Sequence, residues 1–244
     1  MRPNTPMASL LHRLRTGLPW RPAHQLHDPR LRALHACLRA CKPGLLTRAP
    51  LAQSRFVVID TETTGLHAYA DDEIVSIALI ELQGLEITGQ VYTTLVNPRR
   101  AIPRLSTDIH HLTDTDVAGA PVIEEVLFDV ISFIGDSILI GHHVQFDLRF
   151  LNKTLYPLCR GRLRHPCLDT MMLYTAVSGQ LGHYALEDVA RFCRVTIRGR
   201  HTAYGDAMAT AAIFQALAPR LIRAEQPVLR LLQCQHAVGQ FCRL

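Results

Sequence analysis

The seven cysteines include no C-x-x-C pair, and their number is odd. That pattern fits reduced thiols in a cytosolic protein better than a disulfide framework. Cys37 and Cys41 stand one helical turn apart, but two thiols make half a zinc site at most. No stretch approaches the roughly 20 uninterrupted apolar residues of a membrane span, so no membrane partner is expected. A Walker A loop and a G-x-G-x-x-G fingerprint are both missing, which removes the common phosphate-cradling and dinucleotide motifs. No G-x-S-x-G or Cys/His signature supports a Ser or Cys nucleophile. Aromatic residues are only 6% of the chain, so a base-stacking platform for long RNA is not evident. There is no internal repeat and no low-complexity tract.

Acidic residues are scarce in one place only. Residues 1–55 carry ten Lys/Arg and a single acid, Asp28, whereas residues 56–244 carry sixteen Lys/Arg and twenty acids. A basic arm on a mildly acidic domain suggests an anionic partner, nucleic acid first. The first twenty-odd residues also have the composition of an organelle transit peptide. A partner-binding or substrate-steering arm, in a cytoplasmic protein, is the reading adopted.

What the chain does have begins at FVVIDTETTGL, residues 56–66. A β-branched apolar run bounded by turn residues predicts a strand buried on both faces. Side chains alternate along a strand, so Asp60 and Glu62 share one side. Two carboxylates on one face at the end of a buried strand repel each other, and a hard divalent cation relieves that repulsion. In the arm, short helices are expected near 9–16 and 29–41, the second capped by Asp28. Two β-rich runs, 73–82 and 85–96, joined at Gln83-Gly84, predict a hairpin. A loop with Arg99, Arg100 and Arg104 follows. Apolar spacing then predicts a helix over 121–134, a strand over 137–141 and a helix over 144–158. Cys167 to Thr170 reads as a short strand with Asp169 capping the next helix. Further helices are expected over 186–192, 202–218 and 221–235. The order implies an α/β fold with a mixed five-stranded sheet, one strand antiparallel, flanked by helices.

Three more polar groups stand out. Asp147 lies in the first turn of a helix, in GHHVQFDLRFL. Taken alone, it is simply an acid favoured by the helix dipole. Asp206 shares a stripe with Thr210, Ile213 and Leu217, a face that looks core-directed, beside the small residues Gly205, Ala207 and Ala209. His201 precedes Asp206 by five residues, and an imidazole of ordinary pKa near ~6.5 accepts a proton from water at neutral pH. Four carboxylates from three segments with one histidine suit phosphodiester hydrolysis with two cations about 4 Å apart and no side-chain nucleophile.

FVVIDTETTGL, IHHLTD, GHHVQFDLRFL and HTAYGDAMATAAIF resemble, in order and spacing, the motifs of the DnaQ-like (DEDDh) exonucleases, the class of the proofreading epsilon subunit of bacterial replicative polymerase. The resemblance covers roughly residues 55–219. It implies a ribonuclease H-like sheet and 3′→5′ release of nucleoside monophosphates from a nucleic-acid end. It implies that Asp60, Glu62 and Asp206 ligate one Mg²⁺ or Mn²⁺, that Asp60 and Asp147 hold a second, and that His201 is the general base. Thr63, Thr64 and Leu66 would hold the terminal nucleotide, with Leu66 packing on the last base, and His142 and Phe146 would line that pocket. Two positions depart from the family pattern. His143 replaces a common Asn and His111 a common Gly; neither is a metal ligand in the family.

The expected layout is a basic Pro-rich extension (1–54), an exonuclease domain (55–219) and a basic helical tail (220–244). The expected activity is removal of nucleotides from single-stranded DNA 3′ ends in proofreading or repair, with a polymerase or repair protein as a further partner through the arm. The alternatives are an exoribonuclease of the oligoribonuclease or RNase T type, and a non-catalytic module that binds nucleic acid or docks on a polymerase.

Overall fold

Strand β1 (Arg55–Thr63) is the centre of the molecule, described over residues 28–241 by a computed structural model. The helix expected near 9–16 and the acid-free basic stretch lie outside the described residues. Phe56, Val57, Val58 and Ile59 are all buried, as a run with apolar residues on both faces requires. Strand β2 (Ile74–Gln83) pairs antiparallel with β1, and β3 (Glu86–Leu95) antiparallel with β2. Strand β4 (Ile138–Gly141) runs parallel to β1, and β5 (Cys167–Asp169) parallel to β4. The order is β3-β2-β1-β4-β5, with β2 the one antiparallel strand. The hairpin turns at Gly84, whose φ of 60° favours glycine.

The helices, in chain order, are α1 (Pro29–Ala40), α2 (Pro43–Leu46), α3 (Arg104–His110), α4 (Asp114–Val117), α5 (Ile123–Ile134), α6 (Gln145–Cys159), α7 (Thr170–Ser178), α8 (Leu186–Cys193), α9 (Ala203–Leu221) and α10 (Leu229–Phe241). The alternation of β1 sorts them into two layers. Val57 and Ile59 face a core built with α1, α5 and α6. Phe56 and Val58 face the other, built with α7, α8, α9 and α10. None of these helices is long and apolar enough to cross a membrane.

Residues 28–54 reach both cores, α1 packing into the first and Leu51 into the second. The Asp28 carboxylate accepts the Arg30 amide at 2.8 Å and starts α1. Leu31, Leu34 and Leu38 are each 4% exposed against α5 and α6, each contributing roughly 1.5–3 kcal/mol by burial. Backbone bonds from Leu51 to Gln226 and from Leu229 to Thr47 join this segment to the C-terminal one.

Two expectations need correction. The loop expected after Asn97-Pro98 contains α3 and α4, and Arg104 is the first residue of α3. Helices of seven and four residues are too short to show an apolar period; their marks are Pro103 and the capping box of Thr113 and Asp116. The last helix starts at Leu229 rather than near 221. Helix α9 runs on to Leu221 through Pro219, and residues 222–228 connect the two, with Pro227 bridged to Pro50.

Candidate active site

Three elements converge at the C-terminal end of β1. The strand puts Asp60 and Glu62 on the α9 side. Thr61, between them, points to the α6 side, where its hydroxyl donates to Asp147 Oδ1 at 2.7 Å. Asp147 sits in the first turn of α6, 4% exposed, at the helix end that favours an anion. Helix α9 starts at Thr202, whose hydroxyl accepts the Gly205 amide at 3.0 Å. The next residue is Asp206, also 4% exposed. Gly205 permits this approach, because a Cβ there would lie 2.0 Å from the Gly199 carbonyl oxygen. Asp60, Glu62 and Asp206 each offer an oxygen, all within 4.8 Å of one another.

Like charges so close, with Asp147 and Asp206 buried and Asp60 and Glu62 half-buried, resist ionisation. Burial, then Asp147, Asp206 and Glu62, push Asp60 well above the usual carboxylate range. Burial and Asp206 push Glu62 up to about 7, with Arg200 pulling the other way. Burial pushes Asp147 up to about 7 against the Thr61 hydroxyl bond. Burial also raises Asp206, opposed chiefly by Arg200. Arg200 is the counter-ion of the cluster: its guanidinium bonds Asp206 Oδ2 and, at 2.5 Å, Glu187.

The donor set fits a hard divalent cation. Every donor is a carboxylate oxygen, and Asp206 Oδ1 is buried with no hydrogen-bond partner. A buried acceptor left open in this way is what a cation would satisfy. His201 is half-buried between Arg200 and the cap of α9, in a left-handed conformation (φ 62°) that is uncommon outside glycine.

The other site candidates fall into two groups. Leu66 is 77% exposed at the mouth of the site. Thr63 and Thr64 are buried, and their hydroxyls are engaged inside the protein, Thr63 with the Gly65 carbonyl and Thr64 with Asp72 and the Glu73 amide. His142 has both ring nitrogens engaged, with Thr170 at 3.0 Å and the Tyr184 carbonyl at 2.9 Å. Phe146 packs on Phe150, ring centroids 5.0 Å apart. His142, Phe146 and Leu66 line a groove of 1790 Å³ that also reaches Asp60 and Asp147 and extends to α10. His143, at the position where the sequence departs from the family, stacks on His183 within it (5.6 Å).

Sequence reasoning missed several supports. Asp169, read only as a cap, also accepts the amides of His143 and Val144, fixing the turn ahead of Asp147. Gln235 of α10 donates to the Cys167 carbonyl and accepts the Asp169 amide, closing the free edge of β5. Arg200 is a further such support. Nothing in GRGRH marks which arginine turns inward; the nearest signal is its adjacency to His201.

Residues 57–214 match the family model described as Exonuclease. The chain is 41% identical over 179 residues to the DNA polymerase III subunit epsilon-like protein of Rhodobacter capsulatus, covering 72% of this chain and 25% of that one. It is 34% identical to the DNA polymerase III subunit epsilon of Aquifex aeolicus, covering 72% of this chain and 87% of that one. Among solved structures, Exonuclease X in complex with 5′ overhanging duplex DNA superposes with a TM-score of 0.57 at 25% identity, over 72% of this chain and 99% of that one. E. coli Exonuclease I with a dA16 oligonucleotide (TM-score 0.59, 17% identity, 69% and 41% covered) supports the ribonuclease H-like fold alone. The chain thus spans a quarter of the first relative's length and most of the second's. Helix α10 and residues 28–54 lie outside the matched stretch.

Proposed function

We propose that this chain, which belongs to the exonuclease family, is a divalent-metal-dependent 3′–5′ exonuclease whose substrate is the 3′ end of single-stranded DNA and whose product is a nucleoside monophosphate. The observation that carries the reading is the convergence of Asp60, Glu62, Asp147 and Asp206 from three elements, with one buried carboxylate oxygen unsatisfied. Such a cluster is unfavourable without cations and suited to holding them.

In this reading Asp60, Glu62 and Asp206 hold one Mg²⁺ or Mn²⁺, and Asp60 with Asp147 a second. Bound, the cations supply positive charge for the attacking and leaving oxygens and acidify the attacking water. The chain supplies the rest. His201 takes the proton of the attacking water. Thr61 holds the Asp147 carboxylate in place. Leu66, exposed at the mouth, packs against the terminal base, while Thr63 and Thr64 shape the backbone beside the terminal nucleotide. His142 and Phe146 form the wall. Arg200, itself held by Glu187, steadies Asp206 through Oδ2 and leaves Oδ1 as the oxygen that would face a cation. A groove running well past the carboxylates favours a polymer over a free nucleotide. The epsilon-type relatives favour a role beside a DNA polymerase; in this reading the chain works in proofreading or repair in the cytoplasm, and the basic N-terminal arm meets the polymerase or repair protein.

Matched 5′-labelled single-stranded DNA and RNA, incubated with Mg²⁺ or with EDTA, test this. A ladder of shortened DNA with RNA untouched is the expected result. Preferential RNA shortening would replace the substrate with RNA, and binding without cleavage of either would replace the enzyme with a docking module.

A further inference from the structure

Far from the carboxylates, at the C-terminal end of α6, the chain gathers charge of the opposite sign. A cavity of 470 Å³ lies between α1 and the loop 160–164, RGRLR, and Arg39, Arg160, Arg162 and Arg164 all line it. Among the described residues none of these four guanidiniums takes part in a salt bridge, although seven other cations do. The acid that acts on this region is Asp136, which is exposed and felt by Cys41 and His165. His35, on the same rim, is engaged with the Cys159 carbonyl at 2.8 Å.

The arrangement is built rather than incidental. Burial alternates along the loop: Gly161, Leu163 and His165 are buried while Arg162 and Arg164 are exposed and Arg160 is half-buried. Leu163 is fixed by its amide on Asn152 at 2.8 Å and His165 by the Gly135 carbonyl at 2.8 Å. The arginines are therefore presented on one side. Gly161 lets the loop press on α1, since a Cβ there would lie 2.4 Å from Leu38. Two of the guanidiniums are held over the Tyr156 ring, Arg162 at 4.4 Å and Arg160 at 5.4 Å. The helix C-terminus favours a cation at Arg160, but it gives no reason for Arg39, Arg162 and Arg164 to join it. Alternate residues of an extended segment stand about 6.6 Å apart, comparable to neighbouring phosphates along one strand.

We propose that this arginine loop, with Arg39, is a second nucleic-acid site that binds phosphates of the substrate strand upstream of its 3′ end. Thirteen residue steps along α6 take Asp147 to Arg160, about 20 Å, so the site engages only strands long enough to span that distance. The proposal rests on the reading that the chain acts on a nucleic-acid strand.

The test uses the full chain and the variant Arg160→Ala/Arg162→Ala/Arg164→Ala, with Arg160→Lys/Arg162→Lys/Arg164→Lys as the charge-keeping control. Affinity for a labelled single strand of roughly 20 nucleotides is measured in EDTA across a salt series. Hydrolysis of the p-nitrophenyl ester of thymidine 5′-monophosphate, read with Mg²⁺, reports the catalytic centre alone. Three lost phosphate contacts should weaken strand binding at least about 10-fold and flatten the log-log salt slope by about 2. The Lys variant should keep most of the affinity, and ester hydrolysis should be unchanged in both. An unchanged slope and affinity in the Ala variant would overturn the proposal. So would an unchanged DNA affinity with loss of polyglutamate binding, which would assign the patch to an acidic protein surface. If the wild-type chain hydrolysed neither ester nor strand, the catalytic reading would fail while the binding comparison still stood.

Discussion

The two ends of helix α6 hold opposite charges in opposite surroundings. At its first turn, Asp147 joins three other carboxylates in a largely buried cluster. At its last, Arg160 joins three other arginines on an open rim. Both ends leave like charges mostly uncompensated, but burial separates their consequences. Buried carboxylates that repel each other shift their pKa values and lower stability until a cation arrives. Exposed guanidiniums are screened by water and salt, so their proximity costs little and shows as affinity for polyanions.

The sharpest break of that comparison is removal of one buried charge. Asp147→Asn keeps the shape and should keep the Thr61 contact. Activity on single-stranded DNA should fall roughly 10³-fold or more, while the metal-free melting temperature should stay level or rise. A fall in both would mean that Asp147 is structural rather than catalytic.

Next comes pH. The buried acids bind protons more tightly folded than unfolded, so metal-free stability is highest below the unfolded pKa values and falls as pH rises toward the folded ones. For Glu62, a rise from the ordinary 4.5 to about 7 corresponds to roughly 3 kcal/mol lost across that window. Chemical denaturation in EDTA from about pH 4.5 to pH 7.5 reads it, and Mg²⁺ should flatten the fall. Stability that climbs through the same window would contradict the clustered carboxylates.

The same methyl group distinguishes the two ends more finely. Gly205→Ala meets backbone, the Gly199 carbonyl, and should cost about 3 kcal/mol. Gly161→Ala meets the movable end of Leu38 and should cost about 1 kcal/mol. Equal costs, measured by denaturant melts, would show that backbone rigidity at the acidic end is not what aims Asp206.

Much of the acidic end was legible in the sequence, because strand alternation and helical stripes fix where a side chain points. Asp60 and Glu62 follow from period two, and the buried Asp206 from its stripe with Thr210, Ile213 and Leu217. What pulls the segments together was not legible. Thr61 bonding Asp147, Arg200 turning inward and Gln235 closing β5 are contacts between residues 6 to 86 positions apart, which no local pattern records. The short helices α3 and α4 lacked the length to show a period. The arginine loop has no motif at all; it becomes visible only when α1 is seen packed against it.

The most direct test of the central claim is cleavage of 5′-labelled single-stranded DNA by the wild-type chain and by Asp60→Ala, with Mg²⁺. Asp60 serves both proposed cation positions, so its loss should abolish the ladder of shortened products while binding of the strand persists. A ladder that survives in Asp60→Ala would contradict the cation-dependent carboxylate site.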